Sequence, residues 1–190
     1  MLSQIGILVV ETAFGLLLFV LLLRFFMQLT RAPFRNPIGE FVQTLSNWAV
    51  LPARRVVPGL YGIDLATVLL AWVVEAVKLA IVLSLRGYAL GEAGAPALLL
   101  IAALAVVELL RFSLYLLIGA VLVQVVTSWV APYTPFTPVF DALTRPFYRV
   151  FRRYVPPIGN IDLSPLFVVL LAQIAQIPLE HLVRWLATPL

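Results

Sequence analysis

Four long, nearly charge-free stretches constrain this chain more than any other feature of its sequence. A helix needs about 20 mostly apolar residues to cross roughly 30 Å of hydrocarbon. Ile5–Phe26 is long enough, interrupted by Glu11 and reaching Arg24 near its end. Leu65–Leu85 is long enough, with Glu75 and Lys78 inside it, and so is Pro165–Leu186, weakened by Gln173, Gln176, Pro178 and Glu180. The remaining stretch, Pro96–Ala131, has 36 residues. At 1.5 Å per residue that is about 54 Å of helix, too long for one upright span and too short for two and a turn. Ala97–Val107 within it either lies in the membrane interface or extends the helix. With 63% of the 190 residues hydrophobic and 12% charged, a single soluble core could not cover itself in polar surface. A water-soluble enzyme and a disordered chain are both excluded, and an all-α integral membrane protein with four transmembrane helices remains.

The absence of cysteine excludes disulfides and thiolate sites, and the single histidine, His181, excludes a zinc site built on several histidines. No cofactor is expected. No nucleotide loop, His-Glu helix motif or nucleophile elbow is present, so the chain does not read as an enzyme. The N-terminal stretch lacks a positive leading region and a small-residue cleavage site, so it reads as a retained anchor helix. Arg31, Arg35, Arg54 and Arg55 lie between the first and second spans, and Arg145, Arg149, Arg152 and Arg153 between the third and fourth. The middle loop holds Arg86. Basic loops stay cytoplasmic. Both arginine loops are therefore expected on the cytoplasmic side of a bacterial inner membrane, with both termini and the Gly87–Ala95 turn on the periplasmic side. The net charge of +4 is an orientation signal and not a nucleic-acid footprint.

Shifting the chain by 98 residues superimposes the two basic loops without a gap. Pro37 meets Pro135, Leu45 meets Leu143, Arg54-Arg55 meets Arg152-Arg153, Val57-Pro58 meets Val155-Pro156, and Ile63-Asp64-Leu65 meets Ile161-Asp162-Leu163. The chain then divides into residues 1–95, with spans at about 5–26 and 65–85, and residues 96–190, with spans at about 103–126 and 165–186. On this register the third span starts near Ala103, after a Pro96–Ala102 prefix. Each half is a helical hairpin with two crossings, so the halves are expected as parallel repeats rather than inverted ones.

The basic loops carry helical periodicity. Ile38, Phe41, Val42, Leu45, Trp48 and Ala49 share a face, with Gln43, Ser46 and Asn47 opposite; Asn36 suits an N-cap and Pro37 the first helical position. Phe136, Val139, Phe140, Leu143, Phe147, Val150, Phe151 and Tyr154 form a similar stripe, broken at Pro146. Such segments are expected in the headgroup plane, arginines among lipid phosphates. The candidate lipid- or partner-binding residues are Arg54, Arg55, Asp64, Arg149, Arg152, Arg153 and Asp162. Two readings stand side by side: each aspartate caps the re-entering helix and pairs with an arginine, or the two Arg-Asp sets form an anion site. Anionic headgroups, a membrane-protein partner and a second copy of the chain are the expected partners. Within the bilayer, Glu75 and Lys78 can neutralise each other, as can Glu108 and Arg111. Gln173 and Gln176, in register with Glu75 and Lys78, are expected to hydrogen-bond across to them. This cluster is either interhelical glue or an ion path.

Val155-Pro156-Pro157-Ile158-Gly159-Asn160-Ile161-Asp162-Leu163-Ser164-Pro165, with Leu143-Thr144-Arg145-Pro146-Phe147-Tyr148-Arg149-Val150-Phe151-Arg152-Arg153 before it, resembles the hallmark of the YggT (YlmG-like) family of small bacterial membrane proteins. The motif positions carried here are Arg152, Arg153, Pro156, Pro157, Gly159, Asp162, Ser164 and Pro165. In the first half, Gly59-Leu60-Tyr61-Gly62 stands where the second has Pro157-Ile158-Gly159-Asn160. The resemblance implies an inner-membrane protein linked to osmotic or envelope stress and ion homeostasis, with plastid relatives in cytochrome cofactor assembly and nucleoid or division organisation. It supplies no catalytic residues. The expected function is a non-enzymatic scaffold or assembly factor acting through its cytoplasmic loops, and the alternative is a small oligomeric ion channel or transport component.

Overall fold

The computed structural model describes residues 2–60, 62–88, 90–131, 133–155 and 162–187, without the side chains of 90–93. These residues form six helices and no strand: α1 (Leu2–Leu29), α2 (Pro37–Val56), α3 (Leu65–Leu85), α4 (Leu90–Val130), α5 (Thr137–Tyr154) and α6 (Ser164–Ala187). Helices α1, α3, α6 and the Gly94–Val130 part of α4 are long and apolar enough to cross a membrane. The chain is an all-α membrane protein.

Local chemistry sets the helix ends. Arg31 takes a left-handed backbone (φ 55°), which turns the Ala32 N–H back onto the Met27 carbonyl at 2.8 Å and stops α1. Asn36 caps α2 by accepting from the Gly39 N–H at 3.0 Å, and Pro37 takes the first turn. Gly87 (φ 94°) ends α3 in the same way as Arg31 ends α1, with the Tyr88 N–H on the Leu83 carbonyl.

Three expectations are corrected. Helix starts again at Leu90, so the turn after α3 is shorter than Gly87–Ala95, with an irregular step at Gly94 (φ 62°, ψ −151°). Of the two readings open for Pro96–Ala102, interfacial segment or helix extension, these residues are continuous with α4. Ala97 and Ile101 are buried there, which gives the overlong helix its packing reason. Pro146 does not break α5. It removes one backbone hydrogen bond, to the Ala142 carbonyl, and buried Val139, Leu143 and Tyr148 on either side hold the helix through it. Finally, Ser46 and Asn47 of α2 do not turn away from the bundle. The buried side of α2 is Gly39, Val42, Ser46 and Val50, while Phe41, Leu45 and Trp48 are exposed.

In the bundle, α1 packs on α3 and α4 on α6, while α3 and α4 lie side by side between them. Helix α2 packs across α1 and α3, and α5 across α4 and α6. One buried cluster joins Leu18, Leu21 and Met27 of α1, Leu116 and Ala120 of α4, Val42 and Val50 of α2, and Val139 and Leu143 of α5. Both basic helices therefore sit at one end of the bundle. The other end gathers Glu11 of α1, Arg86 at the end of α3, Glu108 of α4 and Val183 of α6 around one cavity. Helices α1 and α4 thus run in one direction, and α3 and α6 in the other.

Candidate functional site

At the basic end, two Arg-Asp junctions hold the turns where the chain re-enters the bundle. In the first, Arg54 Nη2 and Nε both donate to Asp64 Oδ2, at 2.6 and 3.2 Å. Asp64 is also the N-cap of α3: its Oδ1 accepts from the Thr67 N–H at 3.3 Å and its Oδ2 from the Thr67 hydroxyl. In the second, Arg152 Nη2 and Nε donate to Asp162 Oδ2 at 2.7 and 2.9 Å, and the Ser164 N–H donates to Oδ1 at 2.9 Å. Burial disfavours the charged form of Asp64, yet the hydrogen bonds from Arg54 and Thr67 outweigh it and hold the carboxyl below its ordinary pKa. Burial likewise works against ionised Asp162, and its bonds from Ser164 and Arg152 win in the same direction.

Each junction opens on a cavity. The first, about 680 Å³, is lined by Gln28, Arg31, Arg54 and Asp64 among others. The second, about 690 Å³, is lined by Gln124, Ser128, Trp129, Tyr148, Arg152 and Asp162 with an apolar wall from α4 and α6. The Tyr148 ring lies under the Arg152 guanidinium, 5.5 Å from ring centre to Cζ. Tyr148 is 3% exposed, and its hydroxyl has no hydrogen-bond partner among the described residues. The neighbouring Thr144 Oγ1 lies 2.6 Å from Gln124 Oε1 and 2.8 Å from the Phe140 carbonyl, can donate to one of them at a time, and interacts with the Tyr148 side chain. Burial pushes the Tyr148 phenol up to about 12, so it stays protonated and able to donate.

The spans themselves anchor the basic helices. Arg24 of α1, 4% exposed, donates from Nη1 to Ser46 Oγ at 2.6 Å and to Asn47 Oδ1 at 2.8 Å. Gln124 of α4 donates to Asp141 Oδ1 at 2.5 Å and accepts from Thr144 at 2.6 Å. Sequence reasoning missed Arg24, Gln124 and Tyr148 as site residues. A signal was present, since Ser46 and Thr144 are hydroxyl residues in register at a 98-residue shift.

Arg55, Arg149 and Arg153 are exposed at this end. Among the described residues they have no ion-pair partner, and neither do exposed Arg31, Arg35 and Arg145. Ser164 starts α6 and is buried; Pro165 lines the second cavity. Pro156, Pro157 and Gly159 lie outside the described residues.

Deeper in the bundle, Lys78 Nζ pairs with Glu75 Oε2 at 2.7 Å and Arg111 Nη1 with Glu108 Oε1 at 2.9 Å. The four-residue cluster does not assemble as expected. Gln176 donates to the Arg111 carbonyl at 3.0 Å instead of reaching Glu75 or Lys78, and Gln173 is exposed. A cavity of about 450 Å³ is lined by Glu11, Glu75, Lys78, Arg86 and Glu108 among others. Glu75 is 1% exposed, and its Oε1 is buried without a partner among the described residues.

A model of the family CCB3/YggT matches residues 3–85 and 103–183. The chain belongs to the CCB3/YggT family. Among curated relatives, an uncharacterized protein of Pseudomonas aeruginosa is 35% identical over 171 residues, 89% of this chain and 85% of that protein. An uncharacterized protein of Vibrio alginolyticus is 32% identical, over 87% of this chain and 88% of its own length. The YggT protein of Escherichia coli K12 is 32% identical, over 85% of this chain and 81% of its own length. No solved structure matches. These YggT relatives carry no described reaction, and YggT is not a known enzyme family.

Proposed function

We propose that this CCB3/YggT member is a non-enzymatic inner-membrane scaffold or assembly factor that holds anionic lipid headgroups at its basic end. In this reading the basic end is cytoplasmic and both termini are periplasmic, and the protein supports the envelope under osmotic stress. One observation carries the reading: six exposed arginines without ion-pair partners among the described residues gather at the end of the bundle where two cavities open, one of them lined by Arg31. An unpaired arginine beside an anionic leaflet contributes about 1 kcal/mol. In the second cavity Arg152 is held over the Tyr148 ring, which keeps its guanidinium at the cavity wall. The test is retention of co-purifying phospholipid, read by native mass spectrometry. The unmodified protein should keep anionic phospholipid, and joint replacement of the unpaired Arg149→Gln and Arg153→Gln should weaken retention about fivefold per arginine without reducing membrane insertion. Equal retention by the variant would remove the reading.

The unpartnered Glu75 Oε1 in its interhelical cavity supports a second reading, a small ion channel or transport component. Intramembrane ionisable groups commonly line ion paths. That reading expects ion flux in proteoliposomes that Glu75→Gln changes; flux no higher than in empty vesicles counts against it.

A further inference from the structure

The two halves meet incompletely on one side of the bundle. Helix α4 contacts both α1 and α6, and α5 reaches both as well, but among the described residues α1 and α6 make no comparable contact with each other. A slot of about 480 Å³ remains between them. Leu29 and Thr30 of α1 form one wall and Leu179 of α6 the other; α4 forms the base from Leu110 to Ala120, and Pro146 and Phe147 of α5 close the end under the basic helix. Leu29, Leu110 and Phe147 on the rim are exposed, while Leu116, Ala120 and Leu143 at the base are buried. The slot therefore opens sideways and is closed toward the core.

Its lining suits hydrocarbon. The two polar side chains in it are already satisfied: the Thr30 hydroxyl donates to the Phe26 carbonyl at 2.8 Å, and the Ser113 hydroxyl to the Leu109 carbonyl at 2.7 Å. Every other lining residue is apolar. From Leu110 to Ala120, α4 rises about 15 Å, half of the roughly 30 Å hydrocarbon layer and so the depth of one leaflet. The volume spread over that length gives a mean width of about 6 Å. Carbon atoms in contact lie about 4 Å apart, so one extended hydrocarbon chain fits. A helix about 10–12 Å across does not, which separates a lipid tail from a spanning helix of another chain.

The mouth of the slot carries charge. Pro146 lines it, and Val150, one turn further along α5, is exposed. Arg149 and Arg153 stand three residues beyond Pro146 and Val150, so they border the same strip of the helix surface. Both are exposed and have no ion-pair partner among the described residues. Apolar lining one leaflet deep, ending beside two unpaired guanidinium groups, matches an anionic lipid along its whole length.

We propose that this slot holds one acyl chain of an anionic phospholipid from the leaflet at the basic end, its phosphate on Arg149 and Arg153. The lipid then fills the seam between the halves instead of lying loosely around the bundle. This rests on the headgroup reading and adds where the lipid sits.

The probe is a phosphatidylglycerol with a diazirine at the end of one acyl chain, a minor component of phosphatidylcholine vesicles holding the unmodified protein. After illumination, peptide mass spectrometry should place most adducts at the deep end of the slot, on Leu110, Leu114 and Leu179. Exposed Val77 of α3, at comparable depth on another face, reports ordinary bilayer contact. Arg149→Gln with Arg153→Gln should lower slot labelling about fivefold per arginine and leave labelling by the matching phosphatidylcholine probe unchanged. Ser113→Phe, which fills the slot, should remove the slot adducts and keep those at Val77; should that variant fail to insert, the map of the unmodified chain decides. Adducts spread evenly between Val77 and the slot, or slot labelling by the two probes alike, overturn this inference, while retained anionic lipid in native mass spectra would keep the headgroup reading. Loss of that retention overturns both.

Discussion

The two Arg-Asp junctions share a geometry and differ in what holds them. In the first, a charged residue inside a span, Arg24, reaches Ser46 and Asn47 of α2. In the second, a neutral amide, Gln124, reaches Asp141 and Thr144 of α5. The Asp64 side chain is 9% exposed and Asp162 31%. A buried charge without partners is costly; Arg24 Nη1 finds two acceptors on α2, while its buried Nε has none among the described residues. Gln124 is neutral itself but serves a charged partner, the Asp141 carboxylate. Both junctions open on cavities of similar size, and the second is the more exposed pair, with Arg152 largely accessible. The same turn is therefore built over a charged anchor in one half and a neutral one in the other, and the carboxylate over the charged anchor is the more buried.

This contrast can be broken most severely at Arg24. Arg24→Ala strands Ser46 and Asn47 and removes two charge-assisted hydrogen bonds, a loss of about 3 kcal/mol. Gln124→Ala removes one bond to the Asp141 carboxylate and one from the Thr144 hydroxyl, and should lose about 2 kcal/mol. Unfolding of the detergent-solubilised protein measures both, and equal losses would erase the distinction. A smaller effect is expected at Gly39, where an added Cβ would lie 2.2 Å from the Phe34 carbonyl oxygen. Gly39→Ala should therefore destabilise by about 2 kcal/mol through overpacking, while its counterpart Thr137→Ala loses only the hydroxyl contact with Thr134, about 1 kcal/mol.

The smallest effect is a pH dependence. The carboxyl of Asp64 is lowered in the folded protein, so the unfolded chain binds its proton first as pH falls. Its stabilisation is complete above the ordinary carboxylate range and is lost as pH drops through the folded value. The melting temperature should hold from neutral pH to about pH 5 and fall below about pH 4. Asp64→Asn should flatten that acid limb more than Asp162→Asn, whose partner Arg152 is better solvated. Identical acid limbs for the two variants would mean that the junctions are energetically alike.

Much of this molecule is legible in its sequence because hydropathy is a local property. The four spanning helices follow from apolar runs, the α2 start from Asn36-Pro37, and the Arg-Asp pairs from a recurring ten-residue spacing. What escapes the sequence is which way a polar residue faces, because that depends on partners far along the chain. Ser46 and Asn47 look like a solvated face until Arg24, twenty-two residues earlier, is placed against them. Gln176 shares a register with Lys78, yet the Arg111 carbonyl on the adjoining helix takes its amide. Pro146 looks like a breaker because propensity counts the lost hydrogen bond and not the packing that compensates it. The α4 prefix escaped because apolarity alone does not separate a helix extension from an interfacial segment.

The central claim is that both basic helices face the cytoplasmic leaflet. Single cysteines at positions 55, 153 and 88, probed with a membrane-impermeant maleimide, test it directly. Arg55→Cys and Arg153→Cys should react in inverted membrane vesicles and stay unlabelled in intact spheroplasts, with Tyr88→Cys showing the reverse. Labelling of positions 55 and 153 from opposite sides, or of both from outside, would contradict the account.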